Sequence, residues 1–257
     1  VPEKGLIIAS KTGKNISKIL KNAKTKIVYY SLNSKNTWHA ENIEYGLMTC
    51  FDLMNGKEKV TRLETSLLGT HNIENVIGAS AYLLEKKLIT KEELTKHMKS
   101  FKGLSGRLDQ KKSKSSVLIY EGYGSTYAKA VPIFEALKLH FPNRKITAVF
   151  EPHTFSWRNE ESKKWYKDVF DECEKVIILP PPTHGSNTHA QISFEEIVKT
   201  VKKNHKNVYG AIDKEQALET LSKITKKDDV VVLVSSGSLL GLTTEVPKLM
   251  EKIFPKK

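Results

Sequence analysis

The chain has 257 residues, 39% of them hydrophobic, and its 42 Lys and Arg against 29 Asp and Glu give a formal net charge of +13. That length supports one large domain or two of ordinary size, each with its own core, so no disulfide scaffold is needed, and Cys50 and Cys173 lie too far apart to form a metal-ligand or redox motif. The basic residues are scattered through every segment, without an Arg-rich patch or a ladder of aromatics, which excludes an obvious nucleic-acid binder and leaves solubility, or attraction to anionic nucleotides, as the reading of the charge.

No apolar run approaches the length of a bilayer span; the longest are strand-sized, such as Val230–Val234. A soluble, cytoplasmic protein without a membrane partner is expected. The chain opens at Val1 inside an ordered-looking segment, with no initiator Met and no secretory core, so a further N-terminal part of the same protein is expected to precede it.

In the first half, short apolar runs at 6–9 and 27–32 flank a Lys-rich helical stretch, Ile16–Leu20, an α/β alternation. The runs 46–54 and 58–67 flank Asn55-Gly56, a strong hairpin signal because both central residues of such a turn need positive φ, so an antiparallel edge is predicted there. From Asn72 the period changes, with Ile73, Val76, Ile77, Ala81 and Leu84 recurring at helical spacing up to Lys86. A second helix is predicted from Thr90, which pairs with Glu93 as a capping box, to about Phe101. The stretch 103–116 is poor in apolar residues and reads as the linker between domains.

The second half alternates regularly, with apolar runs at 117–120, Ile146–Phe150, 176–179, 208–211 and Val230–Val234 and helical patterns between them. Such alternation implies a parallel sheet with helices on both faces, and ligands of open sheets bind outside the carboxyl ends of the strands. Those ends carry Glu121, Tyr123 and Ser125; Glu151, His153 and Thr154; Thr183 and His184; and Ser235, Ser236 and Ser238. His184 and His189 have no close metal-ligand spacing and read as loop residues; no metal site is predicted.

Five stretches carry the chemistry. GTHNIENVIGASA, from Gly69, puts His71, Asn72 and Asn75 in the first turns of a helix, where side-chain amides can read a heterocycle edge and free N–H groups favour an anion; on spacing alone, Asn72 as a plain N-cap and Asn75 as a surface residue fit equally well. FKGLSGRLD offers Arg107, whose planar guanidinium suits phosphate or ribose oxygens. YEGYGSTYAKA has Gly122 and Gly124 after a strand, but Tyr127 stands where a dinucleotide loop has its third Gly. AVFEPHTFSWR places His153 and Arg158 beside a strand end, suited to a carboxylate. DDVVVLVSSGSLLGL has a Gly-rich loop after a buried strand, fit to cradle substrate or merely to turn into a helix.

Together these stretches resemble the Mur ligases, which use ATP to join amino acids or peptides to cell-wall precursors. Gly69, His71, Asn72, Asn75 and Ala79 fit the family's G-x-H-N-x-x-N-x-x-A-A, and Phe101, Gly103 and Arg107 fit F-x-G-x-x-R-R, with Gly106 in place of the first Arg. Glu121 and Tyr123 align with D-D-Y-A-H-H-P, where Gly122, Ser125 and Thr126 replace an Asp and two His. Val149, Phe150, Pro152, His153, Phe155 and Ser156 fit V-F-x-P-H-x-[YF]-[ST]-R, with Trp157 at the usual Arg and Arg158 one later. Ser235, Gly237, Ser238 and Gly241 fit D-x-V-L-x-M-S-N-G-S-F-G-G, with Ser236 for Asn.

The resemblance implies an α/β fold: residues 1–112 as the later part of a Mur central ATPase domain, and 113–257 as a Rossmann-like, mostly parallel sheet domain with helices on both faces. It implies ATP with Mg2+, held by His71, Asn72, Asn75, Arg107 and Glu121, and contact of UDP-N-acetylmuramate and an amino acid or peptide with Tyr123, His153, Arg158, Ser235 and Ser238. The Ser-Gly-Ser ending points to the branch that adds a whole peptide, and the PHTF segment to the branch that adds L-alanine. No G-x-x-x-x-G-K-[ST] loop occurs, and TGKN at Thr12 lacks its leading Gly and following Ser or Thr, so the chain by itself is expected to be inactive and no catalytic residue is assigned. A non-catalytic nucleotide-binding module derived from a Mur ligase is the alternative.

Overall fold

The computed structural model describes residues 1–33, 35, 37–182 and 191–256. The chain divides into two compact units, Val1–Gly103 and Leu104–Lys257.

The first unit runs β1 (Leu6–Ser10), α1 (Ile16–Leu20), β2 (Lys26–Tyr30), β3 (Trp38–Tyr45), β4 (Thr49–Asn55), β5 (Glu58–Thr65), α2 (Thr70–Glu85) and α3 (Lys91–Ser100). The strands lie side by side in that order, β1, β2 and β3 parallel and β3, β4 and β5 antiparallel. The hairpin is present one residue later than predicted: Asn55 is the last residue of β4 and pairs with Glu58, so Gly56, at φ 59°, and Lys57 form the turn and Asn55 does not adopt positive φ. Its strands are shorter at their outer ends than the apolar runs, because a second tight turn after Tyr45 precedes β4. The apolar face of α2 buries Ile73, Val76, Ile77 and Ala81 against Phe51, Leu53 and Leu63 of the sheet. Thr90 caps α3 in the predicted box: its hydroxyl accepts from the Glu93 N–H at 3.1 Å, and the Glu93 carboxylate accepts from the Thr90 N–H at 2.8 Å.

Strand β3 is a finding that the apolar pattern did not announce. Its alternation is broken at Asn42, in the left-handed region at φ 51°, where the pairing with β4 shifts register between Glu41 and Glu44. Asn tolerates that conformation, and its amide donates to Asp52 at 2.9 Å, so the bulge is held by a polar pair rather than by an apolar stripe.

The second unit contains β6 (Asp109–Gln110), β7 (Leu118–Gly122), α4 (Tyr127–His140), β8 (Ile146–Phe150), α5 (Phe155–Arg158), β9 (Lys175–Ile178), α6 (Phe194–Asn204), β10 (Val208–Gly210), α7 (Lys214–Ile224), β11 (Val230–Val234) and α8 (Leu242–Ile253). The stretch 103–116 is therefore not linker throughout, since β6 pairs antiparallel with β7 and closes that edge of the sheet. The strand order is β10-β9-β8-β11-β7-β6, all parallel except β6.

Helices cover both faces of this sheet. Ala217 and Leu221 of α7 and Leu242, Val246 and Met250 of α8 pack on the face carrying Ile119, Val149, Ile177, Val231 and Leu233. The opposite face presents Phe150, which meets Trp157, Tyr166 and Phe170 edge-on with ring centroids 5.0, 6.4 and 5.3 Å away. Phe134 of α4 joins the same cluster through Phe170 at 5.6 Å. Between β8 and β9 the chain forms only α5 and a 3-10 stretch, Glu160–Lys167, because the Asn159 side chain caps a new turn on the Ser162 N–H at 3.0 Å. The helices after β7 and β8 lie on one face and the helix after β11 on the other, so a crevice opens at the carboxyl ends of β7, β11 and β8.

Candidate functional site

Three turns leave the sheet at that crevice. The turn after β8 begins with Glu151, 5% exposed, whose N–H donates to the Val234 carbonyl at 3.1 Å and so stays in the plane of β11. The turn after β11 begins with Ser235, whose N–H donates to the Gly122 carbonyl at 3.2 Å. Three bonds clamp the PHTF turn onto the turn after β7: the Thr154 and Ser156 hydroxyls donate to the Ser125 carbonyl at 2.6 and 2.8 Å, and the Trp157 indole donates to the Gly124 carbonyl at 2.7 Å. Trp157, at the family's usual Arg position, is thus a fully buried strut.

The structure brings together three of the sequence-predicted residues here. His153 Nδ1 stands 3.7 Å from Glu151 Oε2, the Ser235 hydroxyl donates to the same oxygen at 2.5 Å, and Ser238 lies exposed on the following turn. Tyr123 is 42% exposed on the turn after β7, with the Lys129 ammonium 5.5 Å over its ring. Arg158 lies apart: it is 7% exposed, and its guanidinium donates to the Pro182 carbonyl at 3.1 Å. The candidates Thr183, His184 and His189 lie outside the described residues.

Glu121 sits at the β6 edge, its carboxylate accepting from Lys111 Nζ at 2.7 Å. That bond raises the Lys111 pKa and keeps the ammonium charged. Arg107 is exposed on the preceding turn, its N–H bonded to the Leu104 carbonyl at 3.1 Å. Gly122, at the family's second Asp, packs against Ile133: a Cβ there would meet Ile133 Cδ1 at 2.7 Å, so the Ile133 side chain would have to shift to admit one.

In the first unit, Gly69 rather than Asn72 is the N-cap of α2, which corrects the simple capping reading. Asn72 lies in the first turn and its amide donates back to the Leu68 carbonyl at 2.8 Å. His71 is exposed beside it. Asn75, one turn on, lines a pocket of about 340 Å3 with Leu6, Ile8, Tyr30, Gly78 and Tyr82. That volume lies at the small end of ligand pockets, roughly 300–1,000 Å3, and the depression is shallow, with polar and apolar groups sharing its lining.

Sequence reasoning did not single out Glu151, Lys111 or Leu240. Glu151 stood in it only as one polar residue at a strand end. Leu240, at φ 52°, occupies the first position of the family's terminal Gly-Gly pair, a departure visible once the motif is written beside the chain.

The comparisons with known proteins bear on the family and the fold. The model of the Mur ligase middle domain matches residues 1–83, and that of the Mur ligase glutamate ligase domain matches residues 106–237. The chain belongs to the Mur ligase family. Similar curated Mur ligases include the UDP-N-acetylmuramate--L-alanine ligase of Caldanaerobacter subterraneus subsp. tengcongensis, 28% identical over 243 residues, covering 93% of this chain and 52% of that protein. The enzyme of the same name from Hydrogenobaculum sp. is also 28% identical, over 242 residues, with 93% and 52% covered. Among solved Mur ligases, the UDP-N-acetylmuramate-alanine ligase of Thermotoga maritima superposes with a TM-score of 0.71 at 14% identity, covering 96% of this chain and 52% of that one. The MurF ligase of Thermotoga maritima in complex with ADP gives 0.71 at 17% identity, over 97% and 55%. The chain spans about half the length of the curated relatives it matches.

Proposed function

We infer that this chain is part of a cytoplasmic ATP-dependent ligase that joins an amino acid, L-alanine by the names of its relatives, to UDP-N-acetylmuramate in cell-wall synthesis. The observation that carries this reading is the meeting of the PHTF turn and the Ser-Gly-Ser turn on one buried carboxylate at the sheet's crevice, within a chain matched by both Mur models. In the complete enzyme, the substrate carboxylate takes the γ-phosphoryl group of ATP. The amine then attacks the acyl carbon, phosphate leaves with the bonding pair, and the nitrogen gives up a proton as the amide forms.

This chain's residues contribute binding and orientation. The Asn75 pocket suits the adenine edge, with His71 and Asn72 at its helix end and Arg107 and Glu121 as further nucleotide contacts. His153, Ser238 and Tyr123 are the contacts for the incoming amino acid, the buried Ser235 hydroxyl holds the turn that carries Ser238, and Arg158 supports the Pro-rich stretch it holds. Among the described residues no three His, Cys, Asp or Glu side chains stand together as a metal site; Mg2+ would arrive with the nucleotide and neutralise phosphate charge.

The phosphate-gripping G-x-x-x-x-G-K-[ST] loop does not occur in these 257 residues. The purified chain is therefore expected to bind ATP and L-alanine weakly, by calorimetry, and to show no substrate-stimulated ATP hydrolysis. Measurable turnover would overturn the reading as part of a ligase, and loss of amino-acid binding alone would turn it toward a nucleotide-binding module.

A further inference from the structure

The three turns at the crevice, with the first turn of α4, carry two cations, Lys129 and Arg158. Arg158, whose guanidinium would suit a carboxylate, is turned elsewhere: it is 7% exposed and donates to the Pro182 carbonyl at 3.1 Å. Lys129 is exposed, and among the described residues no carboxylate stands within ion-pair distance of its ammonium. Its side chain runs back toward the amino-terminal end of α4, as helical side chains do, so Nζ donates to the Ser125 hydroxyl at 3.1 Å and stands 5.5 Å over the Tyr123 ring. Ser125 is also where the PHTF turn is fastened, its carbonyl accepting from the Thr154 and Ser156 hydroxyls. The ammonium is thereby held where the turns after β7 and β8 join. The carboxylates nearby are committed to other partners, Glu151 to the Ser235 hydroxyl and the Leu239 N–H, and Glu121 to Lys111; the first turn of α4 has no acidic residue.

We propose that Lys129 binds the carboxylate of the incoming amino acid, with Ser125 and Tyr123 holding its ammonium in place. This rests on the reading of the crevice as the amino-acid site. An ammonium has three N–H donors; the Ser125 hydroxyl takes one and the Tyr123 ring draws on the charge, which leaves donors for a carboxylate oxygen. A charge-assisted bond to that end of an α-amino acid anchors the group that does not react and leaves the amine to turn toward the acyl carbon. The crevice then selects amino acids with an ionised carboxylate and discriminates against their amides.

The test is titration of the 15N-labelled full chain with L-alanine and, separately, with L-alaninamide, which lacks the carboxylate, followed through the amides of Gly124, Ser125 and Thr126. Wild type is expected to bind L-alanine more tightly than L-alaninamide. Lys129→Met should weaken L-alanine about tenfold, the scale of a hydrogen bond to a charged group, leave L-alaninamide no weaker, and so abolish the preference. Lys129→Arg should keep it. Lys202→Met, which removes an exposed charge from α6, should change neither affinity. The Trp157 indole signal, bonded to the Gly124 carbonyl, reports folding in each variant. Where it is lost in Lys129→Met, Lys129→Gln is read the same way.

A Lys129→Met chain that still prefers L-alanine overturns the proposal, as does an equal loss from Lys202→Met, which would show attraction by net charge alone. Wild type that binds both compounds alike also overturns it and leaves the crevice as an amino-acid site. Wild type that binds neither overturns the reading of the crevice itself, and the proposal with it.

Discussion

Leu240 is held where an L-residue pays for its Cβ. It follows Leu239 at φ 51° and precedes Gly241 at φ 79°, so three successive residues are left-handed. For a residue other than Gly that conformation costs about 1–2 kcal/mol, offset in part by the greater chain entropy that Gly loses on folding, roughly 0.5–1 kcal/mol. Leu240 is 41% exposed, so little packing is lost on truncation. Leu240→Gly, which restores the family's residue, is therefore expected to stabilise the chain by about 0.5–1 kcal/mol, read as a higher denaturant midpoint at unchanged slope. A lower midpoint would mean that the Leu240 side chain is held by contacts worth more than the strain.

Among the elements, those announced by local chemistry were legible in the sequence, and those made by distant pairing were not. The capping box of α3 and the turn at Gly56 depend on residues within one turn of each other, and the buried strands of the second unit are short β-branched runs. Strand β3 and its bulge depend on Asp52, ten residues from Asn42, and β6 is two residues long. The link between Glu151 and Leu239 spans 88 residues, beyond any spacing argument.

Asp52 gives that hidden strand a testable pH signature. Burial pushes its carboxyl up, but bonds from Asn42, Lys59 and Arg62 outweigh burial and hold it at about 2. Its folded value lies below the unfolded one, so its contribution to stability is complete above about pH 4 and is lost as pH falls toward 2. Asp52→Asn is expected to cost on the order of 2 kcal/mol at pH 7, the scale of hydrogen bonds to a charged group. In denaturation curves at several pH values that gap should narrow steadily below about pH 4. Curves that stay parallel would show that the β3 bulge does not depend on the charge.

For the whole molecule, the organisation of the cores decides what survives cutting. One core cluster draws on residues between Leu6 and Met98, and another on residues between Val117 and Phe254, so each lies within a single unit. Between them Phe101 is 48% and Leu104 60% exposed, and Gly103 and Gly106 both have positive φ. Backbone with so few buried contacts opens at low free energy and is cut first, whereas strands and helices are cut only after unfolding. Brief trypsin treatment is therefore expected to cleave after Lys102 or Arg107, ahead of β6, and to leave two products that each unfold cooperatively on heating. The larger product should keep the wild-type Trp157 indole signal, because the Gly124 carbonyl that the indole donates to lies within it. Early cuts elsewhere would show that 101–107 is not the weakest segment, and a larger product without that signal would show that the crevice depends on residues outside its own unit.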